Sequence, residues 1–266
     1  MPTRVLNVAP SPDRHRDFPV ARARQEGLLD GTPVPATVDL RRDWWAIGDQ
    51  EETGACVGWA LADSVMRRQL VEAGRLAEDE PLSPRYVWMA AKEMRAKLGA
   101  VSGDPSWRPG TSLERAYTNL KAGLEVARRF GVALESEVPW RGGLYPGDVD
   151  AFFASAARRR LRSYWSLDEP DVGGTVDNWR EWLNERGPIL VKIAVDDALL
   201  EGRRGVLERF DPGTVRDRHA AALVGYGPGH FILRSSWGTD WAEDGYARLA
   251  DGYAADAVEE SYGLIT

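Results

Sequence analysis

Cys56 is the only cysteine in a chain of 266 residues, and Gln50 and His219 are the residues able to give it a chemistry. A thiol attacks well only as the thiolate, and a helix N-terminus or a neighbouring histidine favours that form. Cys56 stands at the head of Ala55-Cys56-Val57-Gly58-Trp59-Ala60-Leu61-Ala62, a run apolar on nearly every side. Such a run predicts a buried helix over 55–73, with Gly74 at its C-terminal cap. Gln50, six residues upstream, carries an amide N–H₂ suited to a developing oxyanion, and the backbone N–H of Cys56 supplies a second donor. His219 opens the apolar run 219–227, a strand whose first residue can face a cleft and act as a general base. Each residue also has a plainer reading. A lone cysteine is commonly a small buried hydrophobe, and a histidine at a strand end is commonly just a satisfied polar group. His15, in a Pro/Arg-rich leader, and His230, at the start of the next strand, have no comparable setting.

Counting excludes other chemistries. One cysteine and three histidines cannot build a Cys₂His₂ or His₃ centre, so no metal and no cofactor is expected. Gly225-Tyr226-Gly227-Pro228-Gly229 leads into a strand rather than a helix, so it reads as a hairpin turn and not a phosphate loop. A formal charge of −7, relieved only by the isolated Arg158-Arg159-Arg160, argues against nucleic acid. The longest apolar run, Pro188 to Val191, falls far short of the ~20 residues that span a bilayer, so no membrane partner is expected. The first residues carry no apolar segment and no disulfide can form within the chain, which together predict a cytoplasmic protein. The pairs Glu51-Glu52, Asp196-Asp197 and Glu259-Glu260 read as solvated charges, and most of the 11 tryptophans as packing residues.

The elements that must position the three residues change character along the chain. Residues 1–37 show no sustained periodicity and read as an extended arm. Ser83-Pro84 starts a helix with Val87, Ala90, Ala91 and Met94 on one stripe. Thr111-Ser112-Leu113-Glu114 has the form of a capping box. Asn119 starts a further helix ending before Gly131, with Leu120, Leu124 and Ala127 inward, and 150–158 and 176–186 are also helical. After Gly187 the pattern becomes strand-like: 189–195 alternating, then 220–226, 230–235 and 245–249. Helices first and strands later predict an α+β chain that can divide into two lobes.

These motifs, taken in order, resemble the papain-like cysteine peptidases. Val38-Asp39-Leu40-Arg41, Asp49-Gln50 and Gly54-Ala55-Cys56 are similar to that family's nucleophile region, including the interval from glutamine to cysteine. His219-Ala220 with Gly225-Tyr226-Gly227 resembles its histidine motif. Phe231 to Gly238, followed by Trp241, Glu243, Gly245 and Tyr246, resembles its Asn-Ser-Trp-Gly block. Glu135 with Pro139-Trp140 looks like the element between them, and residues 12–18 are similar to an arm of bacterial members.

The resemblance implies a two-lobe α+β fold, with a helical lobe holding a buried central helix against an antiparallel, β-barrel-like lobe. It divides the chain into a propeptide-like arm over 1–37 and a catalytic domain over 38–266, mainly helical over about 45–158 and mainly β over about 159–266. It makes Cys56 the nucleophile, His219 the base and Gln50 the oxyanion donor, with Gly54 and Trp237 against a peptide or protein substrate. Ser235 stands where the family has its orienting asparagine. Its shorter side chain predicts a long, water-bridged or absent contact with His219. The implied reaction is peptide-bond hydrolysis through a thioester. Acyl transfer through the same thioester, and a non-catalytic binding protein on this fold, are the alternatives. The unpatterned leader suggests that part of residues 1–37 lies over the cleft.

Overall fold

A computed structural model describes residues 4–97, 118–142, 147–168 and 172–266. In chain order the elements are α1 (Val20–Gln25), β1 (Val38–Asp39), α2 (Cys56–Gly58), α3 (Arg67–Glu72), α4 (Pro84–Lys97), α5 (Leu120–Arg129) and α6 (Val149–Ala156). Then come β2 (Ser163–Ser166), α7 (Val172–Glu185), β3 (Ile189–Val195), α8 (Asp197–Glu201), β4 (Val206–Leu207), β5 (Asp217–Gly227), β6 (His230–Arg234), β7 (Tyr246–Ala250), α9 (Asp251–Ala257) and β8 (Val258–Ile265). The expected helical and strand lobes are both present. The predicted capping box at Thr111 lies outside the described residues.

A π-helical stretch, Trp59–Met66, joins α2 to α3, so the buried helix runs unbroken from Cys56 to Glu72. Beyond it, Gly74 takes the left-handed conformation (φ 65°) that terminates helices. Serine and asparagine caps set the next two helix starts. The Ser83 hydroxyl accepts from the Tyr86 N–H at 3.0 Å, and Asn119 Oδ1 accepts from the Ala122 N–H at 2.9 Å. Helix α7 begins at Val172, earlier than the periodicity predicts, because Gly173-Gly174 hides its first turn.

The strands form a mixed sheet in the order β2-β8-β3-β5-β6-β7-β4, with β1 on β5. Only the β4–β7 pair is parallel. The central helix packs on one face, against Leu190, Ala220, Ala222 and Val224. Trp179, Trp182 and α1 cover the other face, against Ile189, Val191, Ala221 and Leu223. All seven residues of β3 are therefore buried, and the alternation expected along it is absent.

Two charge pairs expected in solvent each turn one member inward. Asp196 is 1% exposed; it caps α8 through the Leu199 N–H at 2.9 Å and accepts from the Tyr253 hydroxyl at 2.6 Å. Glu260 lies in β8, 1% exposed, facing Lys192 Nζ at 3.3 Å and accepting from the Ser11 N–H at 3.0 Å. Both are buried because each has a specific donor, the condition under which a carboxylate leaves water. The arm is also more structured than expected. Val20 and Ala23 of α1, and Leu29 after it, belong to the core of the sheet lobe.

Candidate active site

Cys56 is the first residue of the central helix and is fully buried. The preceding loop is locked to the strand lobe. The Gln50 N–H donates to the Ser236 carbonyl at 2.8 Å, and the Ser236 hydroxyl donates to Gln50 Oε1 at 2.8 Å. With its oxygen so held, the Gln50 amide must turn its N–H₂ inward. It donates to the Thr53 carbonyl at 2.8 Å and to the Val5 carbonyl of the arm at 3.3 Å. Ser236 thus supports the glutamine, a role its place beside Ser235 in the sequence does not reveal.

His219, on β5, is 1% exposed. Its Nε2 stands 3.1 Å from Ser235 Oγ. The long or bridged contact expected of a serine is therefore replaced by a direct one. The cause is strand register: β5 and β6 pair with Ala222 opposite Arg234, which carries Ser235 alongside the end of β5 and makes up for the short side chain. Trp237 stacks on the imidazole, ring centroids 4.2 Å apart and planes at 30°. Nδ1, the other ring nitrogen, is buried and has no partner.

The electrostatics are those of a neutral pair. Burial pushes the Cys56 thiol up to about 11, against the opposing pull of the backbone N–H groups of Ala220, Val57 and Cys56 itself. Burial lowers His219 to about 3, and the Arg4 cation adds to that shift. A buried thiol and a buried imidazole without solvent both favour their uncharged forms.

The arm lies against the site. Asn7 Oδ1 lies 4.0 Å from Cys56 Sγ, and a Cβ placed on Gly54 would fall 1.9 Å from Asn7 Nδ2. Leu6 packs on the core of the sheet lobe, while Val8 bridges to Thr118 and the Ala9 N–H donates to the Thr118 carbonyl at 2.9 Å. Residues 4–9 therefore run between the lobes, over Cys56. Arg4, Val5 and Asn7 had no signal in the sequence, because an extended segment held by single contacts carries no periodicity. Gln50, Gly54, Cys56, His219, Ser235 and Trp237 come together; His15 and His230 do not join them and lie on the arm and at a hairpin end. Among the described residues no cluster of three or more His, Cys, Asp or Glu could hold a metal ion, and no helix is long and apolar enough to cross a membrane.

The family model for "Papain family cysteine protease" matches residues 121–263, a span that includes His219 and Ser235. A cathepsin B-like CP2 of Giardia intestinalis is 32% identical over 244 residues, covering 88% of this chain and 74% of that protein. The cysteine endopeptidase Rep1 of Oryza sativa subsp. japonica is 27% identical over 254 residues, 89% of this chain and 60% of that one. In structure, the chain superposes on xylellain, a cysteine protease from Xylella fastidiosa, with a TM-score of 0.73. That match covers 100% of this chain and 97% of xylellain at 19% identity.

Proposed function

The chain belongs to the papain family of cysteine proteases, and from that premise we propose that it hydrolyses peptide bonds with Cys56 as nucleophile and His219 as base. The observation that carries this reading is the pairing of His219 Nε2 with Ser235, which leaves Nδ1 unpartnered, one residue before the Ala220 N–H that meets the Cys56 sulfur at the helix head. With the cleft open to substrate, the Cys56 proton passes to Nδ1. The thiolate attacks the peptide carbonyl, forming a C–S bond and an oxyanion. Gln50 Nε2 and the Cys56 N–H receive that oxyanion. As it collapses the C–N bond breaks, and the imidazolium gives its proton to the leaving amine. Water, deprotonated by His219, then attacks the thioester and releases the acid and the thiol. Ser235 is a positioning residue that fixes the ring nitrogen facing the sulfur.

Residues 4–9 would hold this site closed. The Val5 carbonyl occupies the Gln50 amide, the place the oxyanion needs, and Asn7 covers Cys56 and Gly54. The amine released by His219 leaves on the Trp237 side, so a substrate runs from Gly54 towards Trp237. The arm runs the other way, Arg4 at Trp237 and Asn7 at Gly54. A chain lying in reverse presents no scissile carbonyl in register with the sulfur.

The test is hydrolysis of an internally quenched peptide by Arg4→Ala/Asn7→Ala, in which the arm loses its hold on the site, with and without Cys56→Ala. Turnover should vanish in Cys56→Ala while the circular dichroism spectrum is unchanged. Substantial turnover by that variant would overturn the assignment.

A further inference from the structure

Three fixed groups converge on the Arg4 guanidinium. Its central carbon lies 5.1 Å from the centroid of the Trp237 ring. Its Nη1 donates to the Leu200 carbonyl at 2.9 Å, an oxygen at the end of α8 where no helical donor is left. Burial disfavours the charged form of Arg4, and Asp49, whose Oδ2 lies 3.1 Å from where a Cβ on Gly238 beside Trp237 would stand, opposes that effect. Each group is held without help from the arm. Trp237 is clamped between His219 and an edge-on Trp241, ring centroids 4.8 Å apart. Trp241 Nε1 in turn donates to the Leu199 carbonyl at 3.1 Å, which ties α8 to the indole pair. The Asp49 backbone bridges to Trp237, and its Oδ1 accepts from the Glu51 N–H at 2.7 Å.

An indole face, a carbonyl oxygen and a carboxylate set around one point select a planar cation. An acidic side chain would be repelled there, and an aliphatic one would leave the Leu200 carbonyl without a donor. The place of this pocket follows from the mechanism. His219 protonates the leaving amine, so the segment that leaves passes over the imidazole, and Trp237, stacked on that ring, is the next surface it meets.

We propose that Trp237, the Leu200 carbonyl and Asp49 form a subsite for a basic side chain on the leaving-amine side of the scissile bond, and that Arg4 is its internal occupant in the closed chain. The proposal rests on the peptidase reading for its substrate but not for its ligand. A peptide carrying arginine just after the scissile bond gains the contacts Arg4 makes and competes with the arm for the same place.

The full-length Arg4→Ala chain vacates the subsite. Ethylguanidinium and its uncharged isostere ethylurea are titrated into it, with the indole N–H signals followed by NMR. Ethylguanidinium should bind saturably, about tenfold more tightly than ethylurea. Binding should weaken at least threefold in Arg4→Ala/Asp49→Asn, where asparagine keeps the oxygen that caps Glu51 but not the charge. The wild-type chain, with Arg4 in place, should bind it more weakly than Arg4→Ala. Equal binding of the two probes, or equal binding by wild type and Arg4→Ala, overturns the subsite whether or not the chain cleaves peptides. In parallel, kcat/KM is compared for two quenched peptides that differ only by arginine or citrulline after the scissile bond. A preference of about tenfold for arginine in Arg4→Ala, reduced by Asp49→Asn, supports the proposal. A ratio of one from a chain that cleaves both peptides overturns it. If neither peptide is cleaved, the peptidase reading falls and the titration alone decides the subsite.

Discussion

Ser235 reaches His219 with a single hydroxyl, so the imidazole has one tether at Nε2 and none at Nδ1. Ser235→Ala should lower kcat about ten- to hundredfold, part of the 10²–10⁴ that acid–base assistance is worth, with KM nearly unchanged. Steady-state kinetics on one peptide checks this; a kcat within twofold of wild type would mean that Trp237 alone orients the ring. The nucleophile, the base and the glutamine were legible in the sequence, because each sits in a short motif with fixed spacing. The quality of the Ser235 contact was not, since it depends on how β5 and β6 are registered rather than on side-chain length. Glu260 and Asp196 were misread for a related reason. A carboxylate's partners, Lys192 and the Ser11 N–H in one case and Tyr253 in the other, are distant in the chain.

The central helix and strand β6 meet in a buried ion pair. Arg234, fully buried, places Nη2 2.5 Å from Asp63 Oδ2, and its other donors go to the Trp45 and Ala46 carbonyls and to Ser64. Asp63→Ala would leave that guanidinium without its counter-charge, at a cost of about 3–5 kcal/mol. Urea unfolding at neutral pH measures it, and a loss below about 1 kcal/mol would mean that the carbonyls suffice. The loop before the helix carries a different constraint. Gly54 leaves room for Asn7, and Gly54→Ala would press a methyl group into that side chain. The arm should yield rather than the core, so hydrogen exchange at the Ala9 amide, bonded to Thr118, should quicken while β3 and β5 stay protected. Equal protection of Ala9 in both proteins would show that Asn7 simply rotates away. The helix 56–72 and its glycine stop were legible from composition and capping. The arm's helix α1 was not, because a six-residue helix with two inward residues leaves almost no periodic trace.

At the scale of the molecule, closure by the arm and the protonation of the site are linked. In the closed chain burial holds the neutral pair, with Cys56 raised to about 11 and His219 lowered to about 3; in the open chain the same proton rests on His219, so opening near neutrality neither gains nor loses one. Closure therefore weakens only towards the ends of the range, as the open thiolate gains a proton on the acid side before the closed imidazole does, and as the open imidazolium loses one on the alkaline side before the closed thiol does. Protection of the Ala9 amide, corrected for intrinsic exchange, should stay level between about pH 5.5 and 7.5; a steady fall as the pH drops across that range would mean that the open site holds two neutral groups. Removal of the whole leader is a poor test of closure, because Val20, Ala23 and Leu29 belong to the core of the sheet lobe. Arg4→Ala/Asn7→Ala opens the cleft and leaves those residues in place. The central claim, that Cys56 and His219 become a thiolate–imidazolium pair once the arm moves aside, is tested most directly by the pH profile of Cys56 alkylation by iodoacetamide in that variant. The account predicts rapid alkylation already at pH 6, and its loss to a slow reaction rising near the ordinary thiol range when His219→Ala is added. A rate that rises only in that range and is unchanged by His219→Ala would contradict it.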